Sequence, residues 1–387
     1  MGLFSSLFNK VKEADKKNSQ TKDGNNDSIM PKASASFHKK GVADVNGLYP
    51  ADLIVLALAP TIKTSDKRPT GYVYEKYEIS NPGKILTQLH DKGYIEEASS
   101  KNSLSFLKVA DLKSLANEIG ITVKGKKADI IATLQNVDED ILSPHVADRY
   151  WVRTESGESE LKANPYIEFF LDRHEYNLEY VNVDIWSVNK EFVKNSKRPY
   201  RDIIFTQLNK NMNNFQLEYV KDPKKGTFLL HQYCNCLECM GLFVEEEKSY
   251  VNASDYYFQY INNKINVYAA ADFLYTWQVV FNGKPYDKDL MYENFWQNAQ
   301  IQPYERTAIL RLIEERGIEE DGVKEALITS FKRANDHSAM SEEETAEFVI
   351  LHLTGEDDMA HEMAINAAKR MTKRIKTEIS NLKRSRK

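Results

Sequence analysis

Apolar residues recur every three or four positions through most of the second half of the chain. This is the spacing of one face of an α-helix, and strand signals are few. The predicted helices cover Arg201–Leu217, Phe228–Val244, Ala253–Tyr268, Tyr304–Glu315, Asp321–Ala334, Glu342–Leu353 and His361–Leu382. The polar stretch Thr154–Lys162 is predicted to form a turn instead. The pattern indicates a mainly α protein with several domains.

Two of these helices, Phe228–Val244 and Ala253–Tyr268, are joined by a short polar loop. This pair resembles a helical hairpin of the tetratricopeptide type. The sequence shows no regular repeat of that length, so we expect one hairpin within a helical C-terminal region, 138–387, and no array.

The first hundred residues predict a leader with a linker (1–47) and a small folded unit (48–100). In the leader, Gly2–Val11 has one apolar stripe at helical spacing, followed by a polar linker with little to bury. Such a helix can dock on a partner or rest on a membrane surface. Packing back onto the protein is the commoner outcome, so we do not expect membrane contact.

The folded unit begins with a compact apolar helix at Ala51–Ala59. A second helix is predicted to start at Asn81, because a capping side chain there precedes a proline in the first turn. Gly93 ends this helix and a short strand follows. The order resembles the end of a winged-helix domain. Because the second helix carries few bases, the resemblance implies packing or protein contact here.

The most informative segment is 104–137. Its apolar positions predict a helix from about Val109 to Ile119 and another from about Lys127 to Gln135. Gly120 ends the first helix, and Gly125 allows a tight turn before the second. Two short helices joined in this way can bury one another.

This segment resembles the SAP domain, a helix, extended turn and helix, along the run from Gly120 to Leu134. The resemblance implies contact with the DNA backbone, usually at AT-rich sites with little base readout. Phosphate contacts are implied for Lys126, Lys127 and the amides around Gly125, since a helix N-terminus favours anions. The module's other candidate contact residues, which we expect on its surface, are Lys108, Lys113 and Lys124.

The segment departs from the SAP pattern at two positions. Lys124 stands where Ser or Thr is usual, and Thr133 stands where Arg is common. The first change adds a charge, and the second removes one implied phosphate contact. Weak binding by the module alone is therefore expected. The alternative interpretation is a small helical pair that only packs or binds protein.

The sharpest candidate for metal chemistry is His231, Cys234, Cys236 and Cys239, four zinc-type ligands within nine residues. The segment around them lacks Gly and Pro and has a helical apolar stripe. On a helix, Cys234 and Cys236 would point roughly 160° apart, so the four side chains could not converge. The pattern favours buried helical cysteines, with zinc as the alternative.

Composition and motifs exclude several classes of protein. Three closely spaced cysteines exclude a disulfide framework and favour a reducing, cytoplasmic setting. No nucleotide-binding, hydrolase or zinc-protease motif is present, and no catalytic set or cofactor is expected. The abundance of Lys, Asn and Ile is typical of a bacterial or phage protein.

The net charge of −5 conceals an asymmetry between two C-terminal segments. Lys369–Lys387 contains nine bases and one acid, whereas Glu314–Glu362 contains fifteen acids and four bases. A basic tail of this kind can bind nucleic acid, an anionic membrane surface, or the acidic segment of its own chain.

The sequence therefore predicts a non-enzymatic DNA-binding protein. The SAP-like module would contact the DNA backbone, and the helical region would recruit a protein partner. One alternative is a protein-interaction scaffold whose SAP-like pair is structural, and a second is an enzyme with an unrecognised helical site.

Overall fold

The computed structural model describes residues 40–384, apart from residues 147, 173–177, 223–226, 278–282, 284–286 and 333–338, with side chains described as far as 377. Residues 1–39, which contain most of the predicted leader and linker, lie outside this range. The described residues form two compact units. The first contains 40–172 and 184–203, and the second contains 178–183 and 204–384.

The first unit is mainly helical. Its helices are α1 (Pro50–Leu58), α2 (Tyr72–Lys76), α3 (Pro82–Asp91), α4 (Ser100–Ser103), α5 (Val109–Glu118), α6 (Lys127–Gln135), α7 (Glu139–Leu142), α8 (Glu155–Ala163), α9 (Tyr166–Asp172) and α10 (Ile185–Lys194). The helix α11 (Tyr200–Lys221) follows. Residues 138–172 and 184–203, which the sequence analysis assigns to the helical C-terminal region, cluster with this unit.

A two-stranded antiparallel sheet joins parts of the first unit that are far apart in sequence. Strand β1 (Ile95–Glu97) pairs with β2 (Trp151–Arg153), with Ile95 opposite Arg153 and Glu97 opposite Trp151. The N–H of Ala98 also donates to the carbonyl of Tyr150 at 2.8 Å. The whole SAP-like segment is therefore an insertion between two paired strands.

The predicted turn at Thr154–Lys162 is wrong, because Glu155–Ala163 forms helix α8. The Thr154 hydroxyl caps this helix by accepting the N–H of Gly157 at 3.2 Å. Gly157 also lies against the backbone of Tyr94, where a Cβ would come within 2.2 Å of the carbonyl oxygen. Gly157 therefore permits close packing of a helix within the stretch that the sequence predicted to be a turn.

The second unit is helical throughout its described residues. It contains most of α11, then α12 (Phe228–Glu246), α13 (Tyr250–Asn263), a π-helical segment (Lys264–Ala269), α14 (Ala270–Tyr275), α15 (Lys288–Ala299), α16 (Pro303–Glu315), α17 (Val323–Phe331), α18 (Glu342–Thr354) and α19 (Asp357–Arg384). The mainly α class is confirmed. The periodicity also located most helices of this unit, but it did not single out α14 or α15.

Helices α12 and α13 pack closely where Gly241 faces Tyr257, and a Cβ on Gly241 would lie 3.1 Å from that ring. The single helix predicted over Ala253–Tyr268 changes to π-helical geometry at Lys264. Single π-helical turns inside α-helices are frequent at functional sites.

Aromatic packing then holds α14 and α15 together. The ring of Phe273 lies 6.3 Å from Tyr292 in a stacked arrangement and 6.0 Å from Phe295 edge to face. All three side chains belong to the large apolar core of the second unit. No described helix has both the length and the apolar composition needed to cross a membrane.

Candidate nucleic-acid interface

Helix α5 of the SAP-like segment ends in a Schellman motif. Gly120 adopts a φ of +77°, a left-handed conformation that glycine reaches without a Cβ clash. Its N–H donates to the carbonyl of Asn117 at 3.1 Å, and the N–H of Ile121 donates to Ala116 at 2.8 Å. The chain therefore leaves the helix at the position that the sequence predicts.

The segment has a hydrophobic core of its own. Leu112 and Leu115 of α5 are buried together with Ile130 and Leu134 of α6. The same cluster takes in Leu104 at the start of the segment and, from beyond its end, Leu142 and Val146. Sequence reasoning missed the last two, because each is a single apolar residue in a short helix or turn. We use "the module" below for residues 100–146, which share this core.

The second glycine sets the start of α6. Gly125 has a φ of +98°, and a Cβ there would meet the Asp129 carboxylate at 2.5 Å. That carboxylate accepts the N–H of Lys126 at 2.8 Å and so caps the helix. The cap occupies one of the amide donors that the sequence assigns to phosphate. The turn at Gly125 places Lys124, Lys126 and Lys127 at the N-terminus of α6.

The predicted contact residues lie on two elements. Lys124 and Lys126 flank Gly125 and are exposed, while Lys108 and Lys113 are exposed on α5. Within the part of the chain that the structure describes, none of these four lysines forms an ion pair.

Lys127 differs from the other candidates. Its ammonium donates to the carbonyl of Ser105 at 2.7 Å and ties the start of α6 to the turn that precedes α5. This contact could not be predicted from the sequence, because Ser105 lies twenty-two residues away. Lys127 therefore has a structural role whether or not it meets a ligand.

Several carboxylates of the module contact groups other than the ammonium groups of its lysines. Asp111 accepts the N–H of Lys108 at 3.4 Å, and Glu118 lies 3.4 Å from the ring of His145. Glu139 accepts the N–H of Ser100 at 2.6 Å, which closes the module's two ends. Burial raises the pKa of Glu139, but this bond and its neighbours outweigh that effect and lower it.

The candidate zinc ligands lie on one continuous helix, α12, as the pattern favoured. Cys234, Cys236 and Cys239 are thiols with buried side chains, whereas His231 is exposed and its ring lies 5.0 Å from Tyr268. No group of three or more His, Cys, Asp or Glu among the described residues is arranged to hold a metal ion. Burial raises the pKa of Cys236 to about 12.

A second polar cluster, in the core of the second unit, was not apparent from the sequence. Lys264 donates to both carboxylate oxygens of Glu305 at 2.7 and 2.6 Å, and Tyr260 donates to the same carboxylate. Nearby, burial is the main reason why the pKa of Glu238 rises to about 7, and the charge of Glu305 adds to it. These residues are far apart in sequence, so only the fold shows that they meet.

Comparison of the chain with protein-family models, curated proteins and solved structures gives no match. The geometry of the module and its charges must therefore support any assignment of function.

Proposed function

We propose that this protein binds DNA without catalysing a reaction, and that the module contacts the phosphate backbone. The observation that carries the proposal is the pair Lys124 and Lys126, which are exposed, form no ion pair within the described residues, and flank a tight turn at a helix N-terminus. Positive side chains beside the partial positive charge of a helix N-terminus favour an anionic ligand.

The DNA phosphate backbone is the anion that best matches Lys124 and Lys126 at the N-terminus of α6. Lysines act as point charges and do not read base edges, so binding through them has little sequence preference. We infer that the helical second unit would recruit a protein partner. Three thiols without a disulfide fit a reducing cytoplasm.

One observation favours the scaffold alternative. The Lys127 ammonium and the Lys126 N–H both have partners inside the module, Ser105 and Asp129. A module whose basic residues serve its own fold can bind a protein or simply pack. The experiment must therefore alter lysines whose ammonium groups have no such contact.

The test is fluorescence anisotropy of the full chain with an AT-rich duplex, from about 50 to 200 mM salt. The variant Lys124→Glu/Lys126→Glu is expected to bind more weakly and to reduce the salt slope by about two. The matched control, Lys162→Glu/Lys190→Glu, changes the same charge at exposed positions of the same unit. Equal binding by the two variants would exclude the module as the DNA contact.

A further inference from the structure

The C-terminal helix α19 has an apolar side that is already covered. Ala364, Ala367, Ala368, Met371 and Ile375 are at most 4% exposed and belong to the large core of the second unit. Little apolar surface of this stretch is therefore available to enter a lipid bilayer. An amphipathic helix needs that surface to lie in a membrane interface.

The opposite side of the same helix is basic. Lys369, Lys373 and Lys376 are all exposed, and their i, i+4, i+7 spacing keeps them within about 60° of one another around the helix axis. We call these three residues the lysine ridge. It lies roughly opposite the buried stripe and spans about 10 Å, the axial rise of about three base-pair steps.

The three ridge lysines differ in their surroundings, and the ammonium of Lys376 lies 5.7 Å from the centre of the Trp277 ring. Arg370, on the flank of the helix, pairs with Glu344 at 2.9 Å. Lys369 and Lys373 form no ion pair with any described residue. Arg374 faces a cavity of about 440 Å³, which it shares with Arg370 and the start of α18. The sequence beyond the ridge stays basic as far as Lys387.

We propose that the lysine ridge of α19 is a second nucleic-acid contact, one that binds the phosphate backbone of a double helix. The buried side of α19 holds the helix in place, so the three lysine charges keep a regular spacing and can contact a regular row of phosphates. The buried apolar stripe argues against a membrane as the partner. The inference does not depend on the module, since the ridge lies in the other unit.

The test uses the full chain and short labelled DNA and RNA duplexes of random sequence, with anisotropy measured between about 50 and 200 mM salt. Lys369→Gln/Lys373→Gln is expected to weaken duplex binding at least about tenfold at the lowest salt and to reduce the salt slope by about two. Glutamine keeps a long polar side chain, and circular dichroism checks that both variants are folded.

The matched control is Lys210→Gln/Lys221→Gln, which removes the same charge from exposed positions on α11. Equal duplex binding by the ridge variant and this control would overturn the inference. Binding to phosphatidylserine vesicles without binding to either duplex would also overturn it. The Lys124→Glu/Lys126→Glu variant, measured beside them, decides the role of the module separately.

Discussion

The ammonium of Lys264 lies within 2.7 Å of both carboxylate oxygens of Glu305, whose side chain is fully buried. The Glu305 carboxylate also accepts the N–H of Gln302 at 2.6 Å, so it caps α16 from inside the core. This ion pair connects the π-helical segment to α16. Removing one partner would leave a buried charge without compensation.

We expect Glu305→Ala to lower the free energy of unfolding by about 3–5 kcal/mol, because Lys264, whose side chain is only 12% exposed, would lose its counter-charge. Urea unfolding followed by circular dichroism measures this change. The control Glu347→Ala breaks the exposed pair between Glu347 and Lys324, where both side chains are more than 40% exposed. Glu347→Ala should lower the free energy of unfolding by less than about 1 kcal/mol. A similar loss of stability in the two variants would contradict the prediction.

The half-buried Glu238 near this pair makes stability depend on pH. The pKa of Glu238 rises from 4.5 to about 7 on folding, so the folded state binds more protons between these values. Stability should therefore fall as pH rises from about 4.5 through about 7. Glu238→Gln removes this contribution and should stabilise the protein at pH 8 by on the order of 2 kcal/mol. Urea unfolding at pH 5 and pH 8 tests it, and an unchanged pH dependence in the variant would count against Glu238.

The two glycines of the module should differ in their tolerance of alanine. Both have positive φ, which costs an alanine roughly 1–2 kcal/mol. A Cβ at Gly120 meets nothing within 4 Å, whereas at Gly125 it meets the Asp129 cap at 2.5 Å. We expect Gly125→Ala to destabilise the module by about 1 kcal/mol more than Gly120→Ala does. Hydrogen exchange of amides 109–135 measures the difference, and equal protection in the two variants would refute it.

The cysteines of α12 should be unreactive while the protein is folded. Cys234, Cys236 and Cys239 are at most 2% exposed, and burial raises the pKa of each thiol. Little thiolate is present at neutral pH, so we expect no reaction with a disulfide reagent until denaturant is added. We expect the purified protein to contain no stoichiometric zinc. If the purified protein contained one zinc per chain and the Cys236→Ser variant contained none, the zinc-site interpretation would be correct.

Local sequence signals determined most of the helical architecture. The bounds of α5 and α6 follow the prediction within one residue, because apolar spacing and the two glycines act over distances of three or four residues. The same local argument placed the three cysteines on one helix. In the candidate site, it identified the basic turn around Gly125 and the exposed lysines beside it.

Tertiary structure decided which distant segments meet. The pairing of β1 with β2, and hence the insertion of the module between them, depends on residues more than fifty positions apart. Helix α8 at Glu155–Ala163 forms where the polar composition suggested a turn, and the Lys127 ammonium donates to the carbonyl of Ser105. Periodicity along the chain predicts which side of an element is apolar. It does not specify the partner that covers that side, because this choice depends on packing among all the elements at once.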